Sequence, residues 1–474
     1  MKKYILYKNH LRKKQFFQAL ALSKNHVLKN SKEVWIYYKL GFYKTINDTS
    51  HFSLNKKELH ARIVSLSACG EVKKASNLLD IFISCSHFQK YFTALSSSLA
   101  PYAPKLALEL LKKESSPSLL KVALLINEGR EEEALSLLDN PKLKKNPEIY
   151  LYLSNATKPT ADKQLSLMNS FLDSYNVPIL QLKDKSKSLS TTNIRFDKLN
   201  KFENGPLISI LMTSYNSQTH IKSAIESLVN QTYSNFELIV IDDASTDDTQ
   251  NIITDLAKND SRIKYIYLSH NVGTYVAKSI GLQKSKGEFV TCHDSDDWAH
   301  PLKIEEQVKP LLKNKKLVFT TSQWVRLQED GVYYARALSP LIRLNPASPL
   351  FRKKIVLEKA GGWDLVRTGA DSEFIARLKL VFGEKAMHRV LKPLTFGAHR
   401  SDSLMNAKDT GYCSNGMSPT RLDYWEAWGY WHIEELRAGR KPFISTDLLS
   451  KRKFNAPQSI MVDNISIKEV LNNV

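Results

Sequence analysis

The sequence predicts an α/β domain, with a mostly parallel sheet flanked by helices, preceded by an all-α domain of helical hairpins. First, apolar residues recur at three- and four-residue spacing through residues 1–180, where Gly and Pro are sparse. Second, short apolar runs alternate with helical stretches from Leu207 onward, which is typical of a parallel sheet covered on both faces. Third, a chain of 474 residues, 42% hydrophobic and 24% charged, has an ordinary globular composition and room for about two to four domains.

The helical part contains a weak internal repeat. Residues 70–80 resemble residues 129–139, and residues 14–22 form a looser third copy. In each copy a polar stretch leads to Ala and then Leu on one helical face, which is typical of stacked helical hairpins of the tetratricopeptide kind. An irregular helical bundle is the alternative interpretation.

The predicted domain boundaries follow the composition. Residues 182–205 are polar and rich in Lys, Ser, Thr and Asn, which predicts a linker after a helical domain of residues 1–181. Residues 206–405 form the predicted α/β domain, and residues 406–474 form a helical C-terminal extension.

Four strands are predicted in the α/β part, each ending in a polar loop. The predicted strands are 207–212, 236–241, 263–268 and 288–292, and the predicted helices between them are 221–229, 247–258 and 276–284. Open α/β sheets bind their ligands at the carboxyl ends of the strands. The side chains that follow the strands are therefore candidate site residues.

Acidic side chains cluster in these loops. Asp242 and Asp243 end the second strand, residues 294–297 contain three aspartates after the fourth, and Asp371 lies close to Glu373 further along the chain. Crowded carboxylates repel one another unless a cation lies among them, and hard oxygen ligands suit Mg²⁺ or Mn²⁺. The clusters therefore predict a site for a metal-bound nucleotide diphosphate, whereas a helix cap or turn is the alternative for any single aspartate.

Four ordered stretches of this region resemble the family 2 glycosyltransferases, whose fold is called GT-A. They are residues 209–216, 228–247, 271–281 and 286–301. The resemblance continues more weakly to about residue 405 and does not cover residues 1–200. It implies a GT-A domain that moves a sugar from a nucleotide-diphosphate donor, with Mn²⁺ or Mg²⁺ as cofactor.

The resemblance implies roles for matching residues on the nucleotide side of the site. Thr213 and Tyr215 would border the base, and Asp243 would accept a hydrogen bond from uracil. Lys278 occupies the position of a basic residue near the nucleotide, although Arg is commoner there.

The residues 294–297 match the D-x-D element of the family. Asp294 would face the ribose or the sugar, and Asp296 would hold the metal. Asp297 is the alternative ligand, because the consecutive acids leave the register open.

The acceptor side would come from residues 361–364 and 369–377, which resemble the G-G-[FW]-D and D-x-E segments of the family and place Trp363 and Asp364 near donor and acceptor. A base must take the proton from the attacking hydroxyl. We expect Asp371 to be this base, with Glu373 as the second candidate. The alternative for Glu373 is an ion pair with Arg377, four residues on along one helical face.

Two further features lie toward the C-terminus. The resemblance implies that His399 lies near the diphosphate or ligates the metal and that Arg400 pairs with the diphosphate, whereas an incidental loop histidine is the alternative. Trp425, Trp428 and Trp431 lie on one helical stripe. This stripe predicts a packed helix, with an interfacial membrane face or stacking on acceptor sugars as alternatives.

The charge is uneven along the chain. The formal net charge is +20, and residues 1–200 hold 32 basic and 17 acidic residues, a net charge of +15. Such a domain predicts contact with an anionic membrane surface, an acidic polymer, nucleic acid or a partner protein, with solubility as the alternative. We expect no nucleic-acid partner, because no RRM, KH or helix-turn-helix motif is present.

The cysteines and the N-terminus indicate the compartment. Cys69, Cys85, Cys292 and Cys413 form no C-x-x-C pair and indicate free thiols in a reducing cytosol. The basic N-terminus lacks the apolar stretch of a secretory signal. We expect a cytoplasmic protein, with peripheral contact at the inner membrane face through residues 1–200 as a further option.

These observations and the resemblance together predict a metal-dependent inverting glycosyltransferase, specifically a hexosyl- or N-acetylhexosaminyltransferase. The expected donor is a UDP-sugar and the expected acceptor is a glycan or glycolipid, in bacterial capsule or lipopolysaccharide synthesis. The rival hypothesis is a helical-repeat scaffold or adaptor with a catalytically weak transferase domain.

Overall fold

The structure is a computed structural model that describes residues 2–23, 28–114, 116–197, 199–203, 205–401, 403, 406–407, 409–413 and 416–473. The predicted boundary at Met405 and two residues of the predicted linker, Lys198 and Asn204, lie outside the described residues. The division into domains stays a prediction.

The N-terminal part is all helical, as predicted, and we call its twelve described α-helices the helical module. They are α1 (Lys2–Arg12), α2 (Phe16–Leu22), α3 (Ser31–Leu40), α4 (Tyr43–Asp48), α5 (Lys56–Ala68), α6 (Val72–Ser84), α7 (Phe92–Leu99), α8 (Pro104–Lys112), α9 (Leu119–Asn127), α10 (Glu131–Leu138), α11 (Ile149–Thr157) and α12 (Ala161–Asp173). Short 3-10 turns at Ser86–Tyr91 and Leu143–Lys145 interrupt the series.

The three repeat copies coincide with the second helix of three packed helix pairs, α1–α2, α5–α6 and α9–α10. Each copy begins at a turn residue in the left-handed region, with φ of 55° at Lys14, 84° at Gly70 and 70° at Gly129. Five residues later each copy places a fully buried alanine against the first helix, and these are Ala19, Ala75 and Ala134. The copies therefore mark helical hairpins, while their membership of the tetratricopeptide family stays a prediction.

The stretch predicted as a linker folds onto the molecule. Within it β1 (Gln181–Leu182) pairs antiparallel with β2 (Ile194–Arg195), and Leu189 and Ile194 are fully buried in the same apolar core as the helical module.

The second part is built on one sheet, as the α/β prediction required. Its strands are β3 (Ile208–Ser214), β4 (Phe236–Asp242), β5 (Ile263–Tyr267), β6 (Phe289–Cys292), β7 (Trp298–Ala299), β8 (Phe319–Leu327), β9 (Tyr333–Tyr334), β10 (Arg343–Leu344), β11 (Leu350–Arg352) and β12 (Met387–Ala398). The order is β5-β4-β3-β6-β11-β8-β12-β7, and β9 and β10 pair beside β8. A separate pair is formed by β13 (Tyr412–Cys413) and β14 (Gly416–Met417).

The strand directions place one set of carboxyl ends at a common edge. The strands β3 to β6 are mutually parallel, and β8 and β12 are parallel to each other. Because β11 is antiparallel to both β6 and β8, β8 and β12 run in the same direction as β3, β4 and β6. The loops after these strands therefore meet at one edge of the sheet.

Helices cover the sheet and extend past it. They are α13 (Ile221–Val229), α14 (Thr249–Asn259), α15 (Thr274–Lys284), α16 (Lys303–Lys313), α17 (Lys353–Lys359), α18 (Ala370–Phe382), α19 (Pro419–Arg437) and α20 (Asn464–Asn472), with 3-10 turns at Glu384–Ala386 and Gln458–Ile460. None of the helices in the described ranges combines the length and apolar character that crossing a bilayer requires.

Helix α19 lies between the helical module and the sheet. The Trp428 side chain is buried against Phe17 of α2, and the Trp425 indole donates a hydrogen bond of 2.7 Å to the Leu40 carbonyl at the end of α3. Glu426 accepts hydrogen bonds from the backbone and hydroxyl of Thr45 in α4. The tryptophan stripe therefore packs inside the molecule, in line with the first of its three interpretations.

Cys69, Cys85 and Cys292 are free thiols, as expected. The side chain of Cys413 lies outside the described residues.

Candidate functional site at the carboxyl edge of the sheet

The loops after β3 and β4 form the first wall of the site. Each contains a non-glycine residue in the left-handed region, Asn216 with φ of 46° and Ala244 with φ of 63°. The Asn216 backbone donates to the Ser245 hydroxyl, and the Asn216 side chain accepts from the Thr246 backbone. These bonds hold two costly backbone conformations at the strand ends, a feature that clusters at ligand sites.

Thr213 and Tyr215 lie where β3 ends. The Thr213 hydroxyl is 2.7 Å from the hydroxyl of Thr274, the first residue of α15, whereas the Tyr215 ring is 50% exposed. A half-exposed ring at the mouth of the edge can stack on a planar ligand.

Asp243 is buried immediately after β4. Its two carboxylate oxygens accept hydrogen bonds of 2.7 Å from the backbone amides of Val272 and Gly273. Burial raises the pKa of Asp243 to about 6, although the two amides and Arg367 oppose the rise. Each oxygen keeps a second lone pair for a ligand N–H donor.

Lys278 joins the loop after β6 to the start of α18. Its ammonium lies 3.1 Å from Asp294. Burial lowers the pKa of Lys278, but Asp294, Cys292 and Asp371 outweigh burial and raise it above its ordinary value. Tyr275, one turn earlier in α15, accepts a 3.1 Å hydrogen bond from the Asp371 backbone. Asp294 and Asp371 are therefore brought together around one buried cation.

Asp296 and Asp297 are adjacent carboxyl groups whose pKa values are both raised. Burial raises the pKa of Asp296, and Arg400, whose guanidinium is 3.2 Å away, opposes the rise. Burial and the charges of Asp296 and Asp294 raise the pKa of Asp297 well above its usual range, although the Ala398 amide donates to it. Nearby, burial lowers the pKa of the Lys303 ammonium to about 8.

These residues fit a divalent cation, because added positive charge would relieve both the burial cost and the mutual repulsion of the acids. His399, which precedes Arg400, adds a neutral nitrogen: burial and then Arg326 lower its pKa to about 4, and its buried Nδ1 has no hydrogen-bond partner among the described atoms. Across the described ranges, no three His, Cys, Asp or Glu side chains converge as a ready-made metal cage. A metal here would need oxygen ligands from the bound diphosphate or water.

Asp371 and Glu373 have opposite surroundings. Asp371 is half-exposed in the first turn of α18, where the helix dipole favours the carboxylate. Glu373 is fully buried, with its carboxylate 2.8 Å from the Arg377 guanidinium and 2.9 Å from His432 of α19. Burial alone would raise the pKa of Glu373, but Arg377 and His432 together lower it to about 2. The geometry therefore matches the ion-pair interpretation of Glu373.

Trp363 and Asp364 make their described contacts with α18 and the C-terminal part, and their role near donor and acceptor stays a prediction. Trp363 is buried with its ring 5.0 Å from that of Phe374, and Asp364 accepts hydrogen bonds from Tyr424 and Arg452 of the C-terminal part. No described contact joins either side chain to the aspartates of residues 294–297.

The helical module contributes residues to this edge that the sequence analysis missed. The loop of residues 328–342 follows β8, and its backbone is held by polar side chains of the module. The hydrogen bonds join Asn155 to Tyr333, Gln164 to Asp330, Tyr152 to Leu338 and Glu148 to Leu341. We call this set the module clamp. The sequence could have revealed the module clamp through polar residues at helix positions where the apolar period predicts a buried side chain.

The module clamp supports a residue already in the site. The neighbour of Tyr333 is Tyr334, whose ring stacks on His399 at 3.6 Å with an interplanar angle of 3°. Asn155 mimics a strand partner, because its amide both donates to and accepts from the Tyr333 backbone at 2.8 Å. The module therefore sets the position of one wall of the cleft.

This part of the chain is similar to known glycosyltransferases. Residues 209–372 match the model of Glycosyl transferase family 2. An uncharacterized glycosyltransferase of Haemophilus influenzae is 40% identical over 128 residues, which is 27% of this chain and 51% of that protein. The putative teichuronic acid biosynthesis glycosyltransferase TuaG of Bacillus subtilis is 32% identical over 126 residues, 27% of this chain and 50% of its own. Residues 1–349 of Staphylococcus aureus TarS, solved with UDP-GlcNAc, align with a TM-score of 0.37 at 20% identity, over 49% of this chain and 65% of that one. The chain thus spans about half the length of the two curated relatives.

Proposed function

We propose that this chain, in which residues 209–372 form a family 2 glycosyltransferase domain of the GT-A fold, transfers a sugar from a UDP-sugar to a hydroxyl of a glycan or glycolipid with inversion. The observation that carries the proposal is the meeting of Asp243, the acidic loop 294–297 and Asp371 at one edge of the sheet. Asp243 would bind the nucleotide base, the acidic loop 294–297 would bind the diphosphate with its metal, and Asp371 would take the proton from the acceptor hydroxyl.

The donor would lie across the ends of β3, β4 and β6. Tyr215 and Thr213 would border the base, and Asp243 would accept from the uracil N–H through its free lone pairs. Asp294, held by Lys278, would face the ribose or the sugar. The glycosidic carbon would then point toward the first turn of α18.

Asp371 would act as the general base. In a single in-line displacement the acceptor oxygen forms a bond to the anomeric carbon as the bond to the diphosphate oxygen breaks. The acceptor proton passes to the Asp371 carboxylate, and the electron pair leaves with the nucleoside diphosphate. Attack from the face opposite the leaving group inverts the configuration.

Asp296 and His399 would hold Mn²⁺ or Mg²⁺, with Asp297 as the alternative ligand. When bound, the metal supplies positive charge to the departing diphosphate. Arg400 carries charge of the same sign beside Asp296 and would pair with the diphosphate.

We place this reaction in bacterial surface-polysaccharide synthesis, in capsule or lipopolysaccharide assembly at the cytoplasmic side of the inner membrane. The support is the name of one relative, which refers to teichuronic acid biosynthesis. The transferred group would be a hexose or an N-acetylhexosamine.

A screen of nucleotide-sugars tests the proposal. The full chain is incubated with each UDP- and GDP-sugar and Mn²⁺, and release of the nucleoside diphosphate is followed with and without a glycan acceptor. We expect one UDP-sugar to be hydrolysed slowly and to be consumed faster with acceptor, with inverted product by NMR. A scaffold with a weak transferase domain would bind no donor and release no diphosphate.

A further inference from the structure

A group of apolar side chains is exposed on α1 and on the loop before α5. Tyr4, Ile5 and Leu6 are consecutive in α1, and Phe52 and Leu54 lie in the loop before α5, all between 43% and 60% exposed. Exposed aliphatic and aromatic residues in such a group mark an interaction surface more often than a solvated one.

Described contacts connect these two segments through the start of α3. The Lys32 ammonium lies 5.2 Å from the Tyr7 ring of α1, and the neighbouring Ser31 hydroxyl donates a 2.7 Å hydrogen bond to Glu58 of α5. The Arg62 guanidinium, bonded to the same Glu58, lies over the Phe52 ring at 5.4 Å. These contacts place α1, the start of α3 and the loop before α5 next to one another, and we call the surface that they carry the basic face.

The basic face carries lysines that pack on rings. They are Lys8 over Tyr4, Lys32 over Tyr7, Lys39 and Lys57 over Trp35, and Lys56 and Lys90 over Tyr91. Within the part of the chain that the structure describes, none of these six lysines forms an ion pair. Burial and then the like charges of Lys14 and Lys57 lower the pKa of Lys39. The face thus has an excess of positive charge with little acidic compensation.

The acids nearest to this surface are already engaged. Glu58 is fully buried beside Arg62 and His51, and Glu33 accepts a hydrogen bond from the Lys29 backbone. Arg62 compensates the charge of Glu58, whereas Glu33 keeps its negative charge, so most of the six lysine charges are left without an acidic partner.

We propose that the basic face docks this protein onto an anionic lipid bilayer surface. Lysines attract anionic headgroups, and exposed apolar side chains such as Ile5 and Phe52 enter the headgroup boundary. An acidic polysaccharide would pair with the lysines. It would make no favourable contact with the exposed aliphatic residues, because it is hydrated along its whole length. The docking is independent of the transferase chemistry proposed above.

Vesicle co-sedimentation of the full chain tests the docking. The vesicles are pure phosphatidylcholine, or phosphatidylcholine with one quarter phosphatidylglycerol, at low and at high salt. We expect binding to the anionic vesicles alone, weakened about tenfold or more at high salt because exposed charges are screened. Equal binding to both vesicle types, or binding to neither, would overturn the proposal.

Matched variants separate the apolar part from the charged part. Ile5→Glu should reduce vesicle binding several-fold, whereas Ile465→Glu, at an equally apolar and exposed position of α20, should not. Lys32→Glu with Lys57→Glu should reduce it about tenfold or more, whereas Lys315→Glu with Lys316→Glu, two exposed lysines elsewhere, should have little effect.

A soluble anionic polymer tests whether the basic face binds an acidic polysaccharide instead of lipid. If heparin binds as tightly as the vesicles and Ile5→Glu leaves both affinities unchanged, the face recognises acidic polymers and the lipid proposal is wrong. Thermal unfolding and donor hydrolysis of each variant, measured without vesicles, should match the parent chain. A loss of stability or of donor hydrolysis would show that the variant misfolds. In that case Leu6→Gln would replace Ile5→Glu as the apolar probe.

Discussion

At the scale of single residues, the start of α18 holds two carboxylates that are two positions apart and have different surroundings. Asp371→Asn should leave donor affinity within a few-fold and slow the transfer step by about 10²-fold or more, because a positioned general base contributes ~10²–10⁴. The measurement is single-turnover transfer alongside a donor-binding titration.

Glu373→Gln is the matched control, since it makes the same chemical change in the same turn. It should lower the free energy of unfolding by about 3–5 kcal/mol, because it leaves the fully buried Arg377 without its counter-charge. If this variant is stable and loses the transfer step while Asp371→Asn is near normal, Glu373 is the base.

Asp296→Ala should abolish the metal-dependent part of nucleotide binding and leave the fold intact. Removing one of three crowded acids relieves repulsion, so the melting temperature should not fall. The check is the thermal shift caused by UDP with Mn²⁺, compared with UDP and a chelator. An unchanged Mn²⁺-dependent shift would remove Asp296 from the metal site.

The affinity for the base should depend on pH through Asp243. The pKa of Asp243 is raised to about 6, so the carboxylate is ionised above pH 6 and becomes protonated as pH falls through that value. Binding of uridine, which has no phosphate to titrate, should therefore weaken between pH 7 and pH 5. The Asp243→Asn variant should bind weakly and show no such slope, and a parallel slope in both would assign the titration to another group.

At the scale of elements, all four strands predicted from apolar runs are present in the structure. β3, β4, β5 and β6 begin and end within two residues of their predictions. β3, β4 and β6 are buried along their whole length and are therefore mostly apolar, whereas β5 is only partly buried. β8 escaped prediction, since its sequence includes Thr320, Thr321 and Ser322, which are buried despite their hydroxyls. β11 has three residues, too few to show a period.

The site residues that could be predicted are those in loops at the carboxyl ends of predicted strands. Asp243, Asp294 and Asp296 follow strands directly, so sheet topology alone brings them together. The Arg377 partner of Glu373 followed from their spacing of four residues. The other partners of Glu373 and Asp364 were not predictable, because His432, Tyr424 and Arg452 come from the distant C-terminal part. Such pairings are set by tertiary packing, which no local pattern encodes.

The module clamp gives the element-scale prediction. Asn155→Ala should remove both hydrogen bonds to the Tyr333 backbone, cost about 1–3 kcal/mol of stability and loosen the 328–342 loop. Donor hydrolysis and transfer to acceptor should both fall several-fold, because the loop positions Tyr334 against His399, a proposed metal ligand. Hydrogen exchange of the loop provides the structural measurement.

Asn127→Ala, at an exposed position of α9, is the control and should change none of these quantities. An Asn155→Ala variant with a protected loop and full transfer would show that the clamp does not act on the site.

At the scale of the whole molecule, the helical module and the sheet share one apolar core. Residues of the module cluster with Val325, Leu327, Leu394 and Phe396 of β8 and β12. A fragment of residues 201–474 should therefore expose that face and aggregate. Size-exclusion chromatography of the fragment checks this expectation, and a monodisperse fragment that binds UDP would refute it.

The place of α19 between module and sheet also has a consequence for synthesis on the ribosome. The groove on the module that α19 fills is made first, but Pro419–Arg437 emerges about 245 residues after α12 ends. At about 5–20 residues per second the ribosome needs roughly 10–50 s to supply the missing helix. Throughout that interval Phe17 and its neighbours face solvent or a chaperone, so the nascent chain should be most prone to aggregation when translation stalls just before codon 419.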